Sequence, residues 1–526
     1  TVLSACERSR PPRTELALEL LDKARNDGEV SISVVGYNTV ISTLARGGDW
    51  ESAVDILNKM EEEGVQPDGV TYGTIMTACE RAGRWQEVLD YASFCANNLA
   101  LDGIMMTSAL KACQQLGMAT EALLYLDKMK HLGEQDRFGS RKTRGRERFG
   151  VRKPLSGPDD VAYCLAISAC GRAGRWQDSL SLLREMTEQQ GLTPSVNAYT
   201  AVISACADSG EYQMALQLWD DMKSKQHQIQ PTVVTYSAVI SACANAMANS
   251  PNSNQEIMES ALRIFSELQE DENCTPNIIT YNAMIKVCAE GLNLSQAFQF
   301  MTELTEEKGL TPTIVTFGTL MTACERVGNL SAASKVFSLM SKYDITPNEI
   351  VYGAAISCCR KAKEPKKAFV LLRKMVLHDK LNPNTATFNT VILSYTKAHA
   401  QSHTVTPDDV NHLSKAITVF KFMLTTATKP DTQTFTILIR ALLQDQRPQD
   451  AETLLTYMTQ NRNMKPEVYL YTGTIQAYEK TGRPGMALRM MEKMRMDGYD
   501  FYENQVLNAA FKKIVKIVNR VVKKKD

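Results

Sequence analysis

Residues 199–210 read YTAVISACADSG, a stretch that returns as YSAVISACANA at 236–246 and as YNAMIKVCAEG at 281–291. In each copy the apolar residues recur at helical spacing, and a small polar residue (Thr200, Ser237, Asn282) follows the aromatic. Working outward, the aromatic position recurs about every 35 residues. It divides the chain into twelve units: 34–68, 69–102, 103–159, 160–195, 196–232, 233–277, 278–313, 314–348, 349–384, 385–431, 432–467 and 468–502. Residues 1–33 read as the remainder of an earlier unit and 503–526 as a basic, amphipathic capping helix. Three units are lengthened by insertions near 134–157, 246–256 and 398–411.

Each unit has one grammar. The stretch after the aromatic predicts a helix A, closed by a breaker such as Gly83, Gly174, Gly210 or Gly328, where glycine takes a left-handed cap at little cost. A second stretch, MALQLWDDM at 214–222 or KAFVLLRKM at 367–375, predicts a helix B. Its alanine (Ala53, Ala122, Ala215, Ala297, Ala333, Ala368, Ala451, Ala487) permits close helix approach. A proline then stops helix B and turns the chain into the next unit. One hairpin cannot bury its own apolar face, but a stack can. The expected fold is therefore all-α: an α-solenoid, a right-handed superhelix of about twelve two-helix repeats, with helices A on the inner surface.

Composition excludes little but narrows the chemistry. The 526 residues carry 59 basic and 59 acidic side chains, so no overall basic excess marks a nucleic-acid binder. The basic charge is local, at 137–153 and from Lys512 to Lys525. No apolar run reaches the roughly 18 residues of a membrane span, and no membrane partner is expected. Thr1 falls inside a repeat and is not preceded by Met, so a fragment of a longer protein is expected. Nine of the 13 cysteines (Cys6, Cys79, Cys113, Cys170, Cys206, Cys243, Cys288, Cys324, Cys359) share one slot, as small buried hydrophobes do. His399, His403 and His412 lie near Asp408 and Asp409, but in a length-variable insertion, and no metal or cofactor is expected there.

The slot after the aromatic holds Asn38, Gly73, Thr107, Cys164, Thr200, Ser237, Asn282, Gly318, Gly353, Asn389, Thr436 and Thr472. Small residues would let helices pack closely, which suits Gly and Cys. Asn suits it less, because a buried amide needs hydrogen-bond partners. A slot on the inner face that offers hydrogen bonds to a ligand fits the asparagines better. Together with the VTYGT (70–74), VTYSA (234–238) and VYGAA (351–355) openings and the QPD, KPD and TPN endings, this pattern resembles the pentatricopeptide repeat family with plain 35-residue units.

That resemblance covers essentially the whole chain and implies single-stranded RNA binding, about one base per repeat. Base choice would be set by the residue after the aromatic together with the last residue of the unit. On that reading Asn38 with Asp68 and Asn389 with Asp431 are uridine readers. Thr107 with Asp159 reads guanine, Ser237 with Asn277 adenine, and Asn282 with Thr313 a pyrimidine. Gly73, Gly318 and Gly353 present no side chain, so their units rely on Asp102, Asn348 and Asn384 or discriminate poorly. Cys164 with Ser195, Thr200 with Thr232, Thr436 with Glu467, and Thr472 carry no assigned base. The implied read-out is U-x-G-x-x-A-Y-x-x-U.

The resemblance further implies that the second residue of each unit sandwiches bases: Val35, Val70, Ile104, Val161, Val234, Ile279, Val315, Ile350 and Tyr469 fit, whereas Asn197, Ala386 and Gln433 do not. Ordinary first-turn core packing is the competing account of these residues. Nine residues past the aromatic stand Arg46, Arg81, Arg172, Arg326, Lys361, Lys397 and Lys480, either tracking phosphates or opposing the helix macrodipole; Asp208 and Glu290 interrupt them. No catalytic constellation is visible, and a non-enzymatic, monomeric RNA-binding protein of the chloroplast or mitochondrion is expected, one that recruits processing factors. A protein-interaction scaffold of the tetratricopeptide kind remains the alternative.

Overall fold

Most A helices open on a side-chain N-cap. Asp68, Asp102, Asp159, Ser195, Asn348 and Asp431 are extended residues whose side chains accept the backbone N–H three residues on, satisfying a donor that the first helical turn leaves unpaired. The computed structural model describes residues 2–26, 32–99, 101–139, 157–188, 191–224, 228–249, 254–401, 412–462 and 464–499. These form 26 α-helices and no strand, alternating as A and B partners in the order the sequence predicts. The fold is an all-α stack of helix pairs, an α-solenoid. The expected capping helix at 503–526 and most of the insertion near 134–157 lie outside the described residues. Of the other two insertions, 250–253 and 402–411 also lie outside the described residues, and the first residues of each extend an A helix: Val233–Asn249 and Thr385–Gln401 have 17 residues each, against 13 for Gly69–Arg81.

The chain divides into two compact units, Thr1–Val287 and Cys288–Asp526. Within each, successive A helices pack directly on one another, as Val34–Gly47 does on Gly69–Arg81 and Glu349–Lys361 on Thr385–Gln401. B helices pack on the A helices beside them. The breaker glycines have φ of 71° to 77° at Gly83, Gly174, Gly210 and Gly328; Leu292, Lys363 and Gln446 adopt the same left-handed turn without glycine's freedom. Two B helices end in a π turn, Glu303–Glu307 and Lys374–His378. Both belong to 36-residue units, where the turn absorbs the additional residue without shifting the register of the next helix.

The core is assembled from the same slots in every repeat. Tyr37, Tyr163, Tyr199, Tyr281, Phe317, Tyr352, Phe388, Phe435 and Tyr471 are fully buried. A buried phenol needs a partner, and an acid at the end of the same repeat's B helix supplies it: Tyr163 donates to Glu185 and Tyr199 to Asp221, each at 2.8 Å. The cysteines are free and, apart from Cys164, buried. Burial pushes the thiol of Cys79 up to about 11 and that of Cys113 to about 12, so these are packing groups rather than nucleophiles. The B-helix alanines are likewise buried, Ala53, Ala215, Ala368 and Ala487 completely.

Candidate nucleic-acid interface

The residue after the aromatic lies along the seam where one A helix meets the start of the next. The N-cap of the following helix approaches it there, which joins the two residues of some of the sequence pairs. Asn38 Nδ2 donates to Asp68 Oδ1 at 3.1 Å, and Asn389 Nδ2 donates to Asp431 Oδ1 at the same distance. A third residue, which sequence reasoning missed, completes both sites. Thr71 Oγ1 lies 2.7 Å from Asn38 Oδ1 and 2.9 Å from Asp68 Oδ1. Thr434 Oγ1 lies 2.7 Å from Asn389 Oδ1 and 2.8 Å from Asp431 Oδ1. Burial raises the Asp68 carboxyl, but hydrogen bonds from the Thr71 amide, Asn38 and the Thr71 hydroxyl outweigh it and leave the pKa below the ordinary value. Asp431 is lowered against burial in the same way, by Thr434 and Asn389.

The missed signal was visible as a threonine directly before the aromatic: Thr71, Thr235, Thr280, Thr316, Thr387 and Thr434. All six are buried. Thr235 lies 2.8 Å from Thr200 and 3.1 Å from Thr232, and Thr280 lies 2.9 Å from Ser237 and 3.1 Å from Asn277. Cys164 meets Ser195 at 3.7 Å, where Ala198 replaces the threonine. Ser237 and Asn389 are each 5% exposed, and Thr107, Thr200 and Ser237 also donate to carbonyls of their own helix. A small polar group at a helix–helix seam stays there because its neighbours pair it, so it presents an edge to solvent, not a whole side chain.

The remaining pairs are less connected. Asp159 caps its helix through Ala162 N, and Thr107 bonds Gly103 O, with no hydrogen bond between the two. Gly73, Gly318 and Gly353 leave Asp102, Asn348 and Asn384 as caps. Asn282 has a buried, unpartnered Oδ1, and Thr313 caps the helix Ile314–Val327. Glu467 is an N-cap position without a side-chain cap, Thr436 is half-buried, and Thr472 donates to Tyr469 O at 2.9 Å.

Beside the seam runs a stripe of apolar side chains. Val35, Val70, Ile104, Val161, Val234, Ile279, Val315 and Ile350 are all exposed, from 43% at Val70 to 73% at Val35; Tyr469 is exposed as well. None packs in the core. Each precedes its buried aromatic by two positions, about 200° around the helix, and the polar slot by three, which puts the slot on its own side. Asn197, Ala386 and Gln433 occupy the same exposed position. One cavity of about 230 Å³ brings the three residue classes together, lined by Val70 and Ile104, by Gly73 and Asp102, and by Arg46 and Arg81.

The cations divide. Arg81 donates to Ala45 O at 3.2 Å and Arg172 to Gln114 O at 3.0 Å, so each satisfies carbonyls at the end of the preceding A helix rather than its own. Asn245, at the equivalent position, bonds Ala207 O at 2.7 Å. Arg46 reaches Glu7 O, and Arg326 pairs with Glu290 at 2.7 Å. Lys361, Lys397 and Lys480 are exposed and make no ion pair among the described residues. His399 Nε2 lies 3.2 Å from Asp445; His403 lies outside the described residues, among which no group of three metal-ligating side chains is found.

The molecule is thus an array of helix pairs with a repeated polar seam flanked by an exposed aliphatic stripe, the architecture of a helical-repeat binding protein. The family model described as the pentacotripeptide-repeat region of PRORP matches residues 184–349 and 354–516, and PPR repeat models match 32–81, 104–134 and 161–190. The chain belongs to the pentatricopeptide repeat family. It is 25% identical over 192 residues to a pentatricopeptide repeat-containing protein of Arabidopsis thaliana, covering 30% of this chain and 25% of that one. It is 43% identical over 72 residues to pentatricopeptide repeat-containing protein 10, chloroplastic, of Zea mays, covering 14% and 9%. The chain therefore spans a quarter or less of these relatives. Among solved structures, that of the maize protein PPR10 has a TM-score of 0.47 at 24% identity, covering 100% of this chain and 78% of that one. Yeast Rmd9p in complex with a 16-nt target RNA has a TM-score of 0.41 at 12% identity, covering 93% and 97%.

Proposed function

We propose that this protein binds single-stranded RNA along the A-helix seams, about one base per repeat, and acts without catalysis of its own. The observation that carries the reading is the exposed aliphatic at the second position of successive repeats, one turn from a hydrogen-bonding slot. Apolar side chains exposed at one-repeat intervals have no folding role. They suit the flat faces of bases, while the seam offers donors and acceptors to base edges. At Asn38 and Asn389 one amide hydrogen and one carbonyl lone pair remain after the internal bonds, a donor–acceptor pair that matches the O4 and N3–H of uracil.

The chloroplast-named relative supports an organellar setting, in which a monomer would protect a transcript, process it with recruited factors or control its translation. The test is salt-dependent binding to RNA of the sequence U-x-G-x-x-A-Y-x-x-U, compared with duplex DNA. Tight binding to RNA alone is expected. Replacing Lys361, Lys397 and Lys480 by Ala should reduce the slope of log affinity against log salt by about 2, on the single-strand value of about 0.7 per phosphate contact, while Arg326→Ala leaves it unchanged. Equal binding to both nucleic acids, or to neither, rejects the reading.

A further inference from the structure

We propose that the buried threonine opening each successor repeat is a positioning residue. Its hydroxyl fixes which edge of the preceding reader faces the ligand, and its presence separates discriminating repeats from permissive ones. The inference rests on the RNA-binding reading above and adds a residue to it.

The argument begins with an ambiguity in asparagine. Rotating its amide by half a turn exchanges donor and acceptor with almost no change of shape. A donor–acceptor order that suits the O4/N3–H edge of uracil becomes, on flipping, one that suits the N3/N4–H edge of cytosine. An unheld amide accommodates both pyrimidines. Asp68 and Asp431 draw Nδ2 to one side, and Thr71 and Thr434 hold Oδ1 on the other, at 2.7 Å in both cases. The carboxylate alone already disfavours the flipped amide, which would turn Oδ1 toward it, and the threonine hydroxyl on the other side adds a second hold against swinging.

Oδ1 keeps one lone pair beside the hydroxyl's bond, and the hydroxyl can release the other. Thr434 has one proton and two acceptors in reach, Asn389 Oδ1 at 2.7 Å and Asp431 Oδ1 at 2.8 Å. Thr71 has the same choice between Asn38 and Asp68. When a base N–H donates to the asparagine, the hydroxyl rotates to the carboxylate and no buried group is left unpaired. When a base acceptor approaches instead, its repulsion with Oδ1 has no such release.

The pattern along the chain follows this chemistry. Thr71, Thr235, Thr280 and Thr434 contact the readers Asn38, Thr200, Ser237 and Asn389. Behind Gly73, Gly318, Cys164, Thr107 and Thr436 the same position holds Met105, Val351, Ala198, Ala162 and Leu470, none with a hydroxyl. Two units depart from the pattern: Thr387 stands behind Gly353 and bonds only Asn384, and Thr316 stands behind Asn282 but bonds Thr313, while Asn282 Oδ1 is buried without a partner.

The test selects bound sequences from a pool of randomised RNA oligonucleotides with the whole protein and with Thr71→Val, Thr434→Val and Thr434→Ser, recording melting curves alongside. The unaltered protein should enrich uridine over cytidine at two columns nine repeats apart, those of Asn38 and Asn389. Thr434→Val should lower the preference on the order of fivefold at its own column alone, and Thr71→Val at the other. Thr434→Ser should retain it. Unchanged columns in both valine variants overturn the inference, as does loss in the serine variant or a uniform fall at every column. If Thr434→Val fails to fold, Thr71→Val decides alone. Absence of any enriched column in the unaltered protein overturns the RNA-binding reading itself, a failure distinct from the others.

Discussion

The repeats that begin at Val34 and at Ile314 share their backbone grammar and differ in three side chains. The first joins Asn38, Asp68 and Thr71 into one hydrogen-bonded cluster; the second has Gly318, Asn348 and Val351, with no reader to hold. Yet Val35 and Val315 are both exposed at their second positions. The contrast teaches that two tasks are separable along this array. The aliphatic stripe is common to both kinds of repeat and suits affinity, whereas the polar cluster is present in some and suits discrimination.

The largest expected effect tests that separation from the stripe. Val315→Asp with Ile350→Asp, both in front of glycine slots, should weaken RNA binding about 30-fold or more by removing two base contacts and adding two like charges against phosphate. Val35→Asp with Val234→Asp, in front of Asn38 and Ser237, should cost about as much. Both pairs should leave the melting temperature nearly unchanged, because the side chains are exposed. Titration of a fixed RNA and a melting curve check both points. If only the second pair matters, affinity and discrimination reside in the same repeats and the contrast fails.

A transplant gives the next largest effect. An added Cβ at Gly318 meets nothing within 4 Å, so a side chain fits there. Gly318→Asn, Asn348→Asp and Val351→Thr together should create a uridine preference of about fivefold at a column that was permissive, read by the same sequence selection. Gly318→Asn alone should raise pyrimidine binding without telling uracil from cytosine.

Period and breakers made the helix pairs legible, since a 3.6-residue apolar pattern interrupted every 35 residues admits few folds. The pairing of Asn38 with Asp68 was also legible, but only through resemblance. Thr71 and Thr434 were missed because a threonine on the first turn of a helix reads as an ordinary capping-box partner. Its second bond, to a residue more than thirty positions earlier, exists only after the helices have stacked. The partners of the arginines were hidden for a related reason. Arg81 and Arg172 lie at helix C-termini in sequence, but the carbonyls they serve belong to the neighbouring helix. Contacts across a stacking interface leave no periodic trace within one repeat.

The smallest effect concerns charge in the cap. Asp68 and Asp431 have lowered pKa values, held down by donors that Asn348 and Asn384 meet without any charge. A folded-state pKa below the unfolded value of about 3.9 adds stability that is fully present above that value and is lost as pH falls through the folded one. Asp68→Asn with Asp431→Asn keeps the caps, since both residue types cap well, and removes only the charged acceptor. The melting temperature of this variant should sit about 1 °C below that of the unaltered protein between about pH 5 and 7, and the gap should close below about pH 4. A gap that widens on acidification would mean that the carboxylates are destabilised by their surroundings, and the Asn–Asp–Thr cluster would then be a strained site rather than a settled one.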